Sequence, residues 1–353
     1  MKVSIAADLH LTTRALHPER FNALIDILQQ TVELDIKWLI LAGDTFETIG
    51  QNFAEFEAIC RSEDFNRINI VLLPGNHDDG IHPRMFTAEN VQVVTQAGCL
   101  LPEPGVLPLF LLPYAGGRTM GEFIAQADSE LPENGWVLVG HGDWMDGRYE
   151  PDPSEPGVYM PLTRFDIDNF QPLKVILGHI HKPMEMNKVT YVGSPCATAI
   201  NELGRRRFLT LDLNTGLTKS FFVATDVIYV SETLIVLPLQ NEFEYLQDQI
   251  EARIKQWAFS PEETKKAVVQ IRAKGFTSDK QKLDKTIRKA LHAFTLYNDE
   301  ADLSAVSLAD DSNRSDVASR VSDWIHELDW HENDINADKN EILLSALQVI
   351  YGV

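Results

Sequence analysis

The sequence predicts a layered α/β architecture, and three observations carry that prediction. Short runs rich in Val, Ile and Leu recur through the first two-thirds of the chain, each ending in glycine or polar residues. Segments of helical period lie between the first of them. Near Val223 the character changes, and a second, smaller alternation of strand and helix begins.

Taken in order, the apolar runs are Val3 to Ala7, Trp38 to Ala42, Ile70 to Leu73, Val137 to Val139, Val175 to Leu177 and Val189 to Val192. Runs this short and this apolar fit strands buried on both faces. Pro18 to Leu34 places Phe21, Leu24, Ile25 and Leu28 at helical spacing, and Asn52 to Cys60 also reads as helix. Such alternation implies helices layered on a parallel-type sheet. Val106 to Leu112 and Phe208 to Leu213 read as strands without helical crossovers. Tyr149 to Pro161, rich in proline and acid, is a loop that either lines a site or is a solvated insertion. Beyond Val223, Ile228 to Leu239 and Ala267 to Ala273 read as strands. Glu242 to Trp257 and Asp279 to Phe294 read as helices. From Asp299 the chain becomes acidic. Val317, Val321, Trp324 and Leu328 then mark one helix, and Ile342, Leu343, Ala346 and Ile350 another. The organisation expected is 1–223, 224–298 as a small α/β unit, and 299–353 as an acidic linker with terminal helices.

Length (353 residues) and 44% hydrophobic content suffice for one large core and a smaller second one. No stretch approaches the ~18–20 apolar residues of a membrane span. The start, MKVSIAADLH, lacks a signal-peptide pattern. The reading is a cytoplasmic protein without a membrane partner. Cys60, Cys99 and Cys196 suggest neither a metal pair nor a disulfide framework. The net charge of −21 argues against nucleic acid if taken alone. The charge is uneven, however. Residues 299–353 carry 13 acidic and 3 basic side chains, whereas 253–289 carry 11 basic and 4 acidic. Global acidity therefore leaves room for a local phosphate-facing surface.

Polar residues collect where the apolar runs stop: Asp8 and His10, Asp44, Asn76 and His77, His141, and His179 with His181. Strands of a parallel sheet converge at their carboxyl ends, where ligands bind. Residues two apart on an extended chain point the same way, so Asp8 with His10 and His179 with His181 are natural two-pronged ligand sets. Mixed imidazole and carboxylate ligation suits Mn, Fe or Zn better than Mg or Ca. Seven ligand candidates exceed one tetrahedral ion and fit two ions sharing a carboxylate, with Asp44 as the bridge. His17, His82, His292, His326 and His331 fall in helical or loop contexts and are read as ordinary surface or core residues.

As a set, the blocks DLH, GD, GNHD, GH and GHIH resemble the calcineurin-like metallophosphoesterase superfamily, over about residues 1–200. The resemblance implies a four-layer αββα sandwich around a dinuclear centre. It assigns Asp8, His10, Asp44 and His181 to a first metal, and Asp44, Asn76, His141 and His179 to a second. His77 would contact the phosphate and protonate the leaving oxygen, positioned by Asp78. The cofactors implied are two divalent ions, Mn first, with Fe, Zn and Mg as alternatives.

Finer features resemble the SbcD-type DNA double-strand-break repair nucleases within that superfamily. LGHIHKP followed by VTYVGSPCATAINE resembles their closing block, with Ser194 and Pro195 shaping the pocket floor. GDTFE, Gly43 to Glu47, resembles a second block, from which the chain departs at Thr45 and Glu47. The resemblance implies a small capping domain after the catalytic domain and helices that bind an SbcC-like coiled-coil ATPase. It implies 3′→5′ exonuclease and endonuclease activity on DNA, and leaves a homodimer open. The lysines and arginines of 253–289, and Arg205-Arg206-Arg207, would then meet backbone phosphates. Two other classes stay open. One is a phosphoesterase acting on a cyclic nucleotide, a phosphoprotein or a lipid-linked phosphate. The other is a non-enzymatic scaffold, against which the intact ligand set with His77 argues.

Overall fold

The structure, a computed structural model, describes residues 1–50, 52–132, 135–146, 157–239, 241–309, 312–327 and 339–351. The chain divides into two compact units: Met1–Thr198 with Arg205–Asp226, and Ala199–Gly204 with Val227–Val353.

The first unit holds two six-stranded sheets. Its strands are β1 (Lys2–Ala6), β2 (Trp38–Ala42), β3 (Asn69–Leu73), β4 (Val91–Val93), β5 (Gly98–Leu100), β6 (Leu109–Leu112) and β7 (Val137–His141). They continue with β8 (Trp144–Met145), β9 (Leu162–Thr163), β10 (Lys174–Gly178), β11 (Met184–Met186), β12 (Val189–Tyr191), β13 (Arg207–Asp212) and β14 (Thr218–Phe222). One sheet runs β14-β13-β1-β2-β3-β4, the other β11-β12-β10-β7-β6-β5, and β8 pairs with β9 apart from both. β1 to β4 are mutually parallel, as are β6, β7, β10 and β12.

Period-two alternation explains the layering. Val3, Ile5, Ile40, Ala42, Val71 and Leu73 leave one sheet on its inner face and share a buried core with Leu109, Leu111, Val137, Val139 and Ile176 of the other. The alternate residues Ala6, Leu39, Leu41, Ile70 and Leu72 meet helices α1 (Pro18–Glu33) and α2 (Phe53–Cys60) through Phe21, Leu24, Ile27, Leu28 and Phe56. Phe110, Leu112, Leu138, Val175 and Leu177 meet α3 (Met120–Ala127) and α4 (Arg164–Phe170) through Met120, Ile124 and Ile167. The result is the αββα sandwich: helix, sheet, sheet, helix. The central strands of both sheets are covered on both faces, which is why they read as continuous apolar runs. The strand expected over Val106 to Leu112 is shorter, Leu109–Leu112; Pro108, without an N–H, marks its start.

The second unit is a parallel sheet of β15 (Ile228–Val236), β16 (Ala267–Thr277), β17 (Thr295–Leu296) and β18 (Asp302–Leu308). Its helices are α5 (Glu242–Trp257), α6 (Pro261–Lys266), α7 (Lys280–Ala290), α8 (Ser312–Glu327) and α9 (Lys339–Tyr351). Val230, Leu234 and Val236 pack on α5 and α7, while Ile235 and Leu237 face Ala318 and Ile325 of α8 and Leu343 and Leu347 of α9.

Three details differ from the sequence reading. Asp302–Leu308, expected as acidic linker, is a strand parallel to β16. Only Val306 is buried, while Asp302, Ser304, Ala305, Ser307 and Leu308 are exposed, which hid its pairing from hydropathy. On α8 the packed face is Ala318, Val321 and Ile325, whereas Val317 and Trp324 are exposed. The marking apolar residues therefore identified the helix but not its buried side, which small Ala318 occupies. Ala199–Gly204 joins the second unit, with Leu203 bridging Tyr229. Leu328 and residues 149–156 of the expected loop lie outside the described residues.

Candidate metal centre

Every site candidate sits at the carboxyl end of a parallel strand. Asp8 and His10 follow β1, Asp44 follows β2, Asn76 and His77 follow β3, His141 closes β7, and His179 and His181 follow β10. The chain leaves the sheets sharply there. Asp8, His10, Asp44 and His179 all adopt positive φ, at 57°, 47°, 49° and 95°. Each such non-glycine conformation costs about 1–3 kcal/mol and marks functional sites when the surroundings hold it. Backbone bonds hold it here. Asp8 N donates to Gly43 O (3.1 Å), His10 N to Asp44 O (3.0 Å), Leu11 N to Thr45 O (2.9 Å) and Glu47 N to Leu11 O (3.1 Å), zipping the first two loops together. His77 N donates to Asp44 Oδ1 and His179 N to Asp8 Oδ1, each at 2.9 Å.

The side chains form three overlapping groups, one of which brings His77 within 4.8 Å of His10 and Asp44, and the candidate ligands other than Asn76 fall in the other two. Ligand-type atoms of Asp8, His10 and His181 all lie within 4.8 Å of one another, as do those of Asp44, His141 and His179. Asn76 Oδ1 joins the second group, 2.8 Å from His141 Nε2 and 3.1 Å from His179 Nδ1. Asp44 Oδ2 stands between the groups, 3.2 Å from His141 Nε2 and 3.8 Å from His10 Nε2. His10 Nε2 faces His181 Nε2 at 2.9 Å. All seven candidate ligands are thus brought together.

Their chemistry fits divalent cations. Asp8 is fully buried, and its Oδ2 has no hydrogen-bond partner among the described residues. A buried carboxylate oxygen left so is costly unless a cation meets it. His141 Nδ1 faces Ala42 O at 3.0 Å. A carbonyl only accepts, so Nδ1 carries a hydrogen, and Nε2 is the nitrogen whose proton a cation would replace. Electrostatics agree. Burial disfavours the His141 imidazolium, yet Asp44 and Asp8 outweigh burial and lift it to about 10. Burial likewise disfavours the Asp44 carboxylate, but His141 and His10 hold it far below the ordinary range. Burial pushes Asp8 up. Without other cations, protons neutralise this pocket; metal binding displaces them.

His77 lies beside the cluster, its ring 4.8 Å from that of His10 and edge-on to it. Its Nδ1 is 3.3 Å from Glu47 O. The expected link from Asp78 to His77 takes another form. Asp78 is buried, and its carboxylate accepts from Gly75 N (2.6 Å) and Phe46 N (3.1 Å) rather than from the His77 ring. It ties the loop carrying His77 to the loop carrying Asp44. Burial and the nearby Asp44 raise its pKa to about 6, against the pull of those two N–H groups.

Within the arginine triplet the reading is corrected at Arg206. Arg206 is 1% exposed and faces inward, donating to Ser194 O (2.8 Å) and to His181 O. Arg207 donates to Tyr191 O and Ser220 Oγ, and Arg205 lies over the Phe222 ring. Ser194 N donates to His181 O at 3.0 Å, so Ser194 braces the histidine turn. The sequence reading missed Arg20, Asp143, Tyr159 and the side-chain role of Glu47. Arg20 donates to Glu47 Oε2 (3.3 Å) and to His10 O. The Tyr159 ring lies 4.7 Å from that of His179. Asp143, two residues beyond His141, was open to the same two-apart reasoning that paired Asp8 with His10. Nothing local announces Arg20.

A two-group cluster of this kind, at the strand ends of an αββα sandwich, defines a metal-dependent phosphoester hydrolase. Residues 1–183 match the calcineurin-like phosphoesterase family, and the chain belongs to it. No curated protein sequence matches the chain. Among solved structures, it resembles an archaeal phosphodiesterase at 16% identity, covering 63% of this chain and 100% of that one, with a TM-score of 0.34. TT1561 of Thermus thermophilus is 15% identical over 63% of this chain and 98% of its own, at a TM-score of 0.41. Purple acid phosphatase PPD1 from yellow lupin (Lupinus luteus) seeds is 13% identical over 62% of this chain and 52% of its own, at 0.38. Among the described residues no helix is long and apolar enough to cross a membrane.

Proposed function

We propose that the chain is a metal-dependent phosphodiesterase acting on DNA, a nuclease of SbcD type. The observation that carries the reading is the pair of ligand groups joined at Asp44 with His77 alongside. Asp8, His10, Asp44 and His181 would hold one divalent ion, and Asp44, Asn76, His141 and His179 a second, Mn being the metal of choice. Such a pair supplies positive charge for a phosphate's non-bridging oxygens and acidifies a water molecule.

The chain's own residues orient and transfer. The buried Asp44 carboxylate stands between both groups and would be shared by the two ions. The His77 Nδ1 is committed to the Glu47 carbonyl, so exchange of a proton with the departing 3′ oxygen falls to Nε2. An imidazole is suited to this at neutral pH because its ordinary pKa is ~6.5.

The composition of the second unit supports DNA as the substrate. α7 presents Lys280, Lys282, Lys285, Arg288 and Lys289 on its exposed side, and β16 exposes Arg272 and Lys274. Clustered cations of this kind bind a phosphate backbone by releasing its counterions. On α8, exposed Val317 and Trp324 support a docking role toward a coiled-coil ATPase subunit.

The test compares wild type with His77→Ala on labelled linear and circular DNA and on a chromogenic phosphodiester, with Mn. Wild type cleaves DNA; the variant retains its metal and loses about 10²–10⁴-fold in rate. Hydrolysis of the chromogenic diester with intact DNA would move the substrate to a cyclic nucleotide, a phosphoprotein or a lipid-linked phosphate.

A further inference from the structure

The candidate ligand imidazoles each have two ends, and the outward ends follow a pattern. His10 turns Nε2 to His181 and Nδ1 to Glu47 Oε2, 3.1 Å away. His179 turns Nδ1 to Asn76 Oδ1 and Nε2 to Asp143 Oδ1, 3.5 Å away. One histidine of each group is thus backed by a carboxylate that belongs to neither ligand set. His141 has a backbone carbonyl in that place.

Both carboxylates are themselves anchored. Arg20 grips Glu47 Oε2 and also the carbonyl of His10, so one guanidinium fixes the imidazole's partner and its own backbone. Asp143 is fully buried, and its Oδ2 accepts from Tyr159 N at 2.6 Å. A carboxylate at such ion-pair distance from the outer ring nitrogen favours the hydrogen there, which leaves the opposite nitrogen's lone pair aimed at the cluster and makes it a stronger donor.

We propose that Glu47 and Asp143 are positioning residues, one for each ion: Glu47 sets the affinity of the ion held with His10, and Asp143 that of the ion held with His179. The proposal rests on the two-ion reading above and adds that the two affinities are separately adjustable. Outer partners of metal-bound histidines are typically worth about 10–100-fold in affinity. Glu47→Gln and Asp143→Asn keep the shape and one accepting oxygen while removing the charge.

The test is equilibrium dialysis of the full chain against Mn²⁺ alone, with anomalous diffraction from Mn-soaked crystals to show which position empties. Wild type binds two ions. Glu47→Gln weakens one of them about 10–100-fold and leaves the other unchanged; Asp143→Asn weakens the other. Unfolding of the metal-free proteins is followed in parallel, and both variants melt with wild type. Two ions held by either variant as tightly as by wild type would overturn the proposal. So would loss of both ions together, or metal-free variants that melt early, because these outcomes mark a general structural role. A wild-type protein that binds fewer than two ions would instead sink the two-ion reading itself.

Discussion

At the scale of single residues, the centre is held by groups that never enter it. Arg206 is the clearest. Its guanidinium is buried and donates to the carbonyls of Ser194 and His181, fixing the turn that aims His181. Arg206→Ala takes the guanidinium away from Ser194 O, leaves His181 O with the Ser194 N–H alone of the two donors described, and opens a void. Unsatisfied buried acceptors cost about 1–3 kcal/mol each, and about 3 kcal/mol in a unit this size lowers Tm by roughly 6–12 °C. Thermal unfolding checks this, and Arg206→Lys is expected to rescue little, since an ammonium lacks the planar fork. The sequence led elsewhere here. Arg205-Arg206-Arg207 reads as a basic cluster for phosphates, yet alternation along the chain carries the middle residue inward.

At the scale of elements, the strand ends create the site and the glycines between them make room for it. Gly43 adopts φ +92°, and a Cβ there would stand 2.0 Å from His141 Nδ1. Gly43→Ala therefore displaces the imidazole that Ala42 O and Asp44 hold. A displacement worth about 1.4 kcal/mol is tenfold in affinity, so Mn binding by Gly43→Ala is expected to weaken at least about tenfold by equilibrium dialysis. Retention of wild-type affinity would show that the loop yields without cost. The central strands of the sandwich were legible because each is buried on both faces and ends at a glycine or a polar residue, whereas the partly exposed β5, β11 and β14 carried no such signal. β18 was not legible, because an edge strand with exposed polar residues resembles a linker until its partner is known. The side of α8 that packs was also hidden, because Ala318 carries little hydropathic signal.

At the scale of the whole molecule, an acidic chain carries a cationic segment in a unit of its own. Some of those cations are already engaged. Lys282 lies over the Phe243 ring, Arg288 pairs with Asp284 at 2.8 Å, and Lys265 pairs with Glu262 at 2.9 Å. Lys280, Lys285 and Lys289 are exposed on α7 and are the better probes. Changing all three to Glu is expected to weaken DNA binding and to flatten its salt dependence by about 0.9 per lost phosphate contact. Hydrolysis of a small chromogenic diester should stay unchanged. Titrations at several salt concentrations check this, and an unaltered slope would remove this face from the DNA-binding reading.

The sequence by itself determined the layered α/β class, the strand ends that bear the site and the residue types gathered there. It could do so because burial pattern and ligand chemistry are properties of short stretches of chain. Only the tertiary structure decided that Asp44 lies between two histidine groups, that Asp78 braces two loops, that Arg206 is internal, and that Glu47 and Asp143 stand behind His10 and His179. Those relations join residues as far as 171 positions apart. They depend on how two sheets stack and on backbone turns at positive φ, and neither is written in local hydropathy.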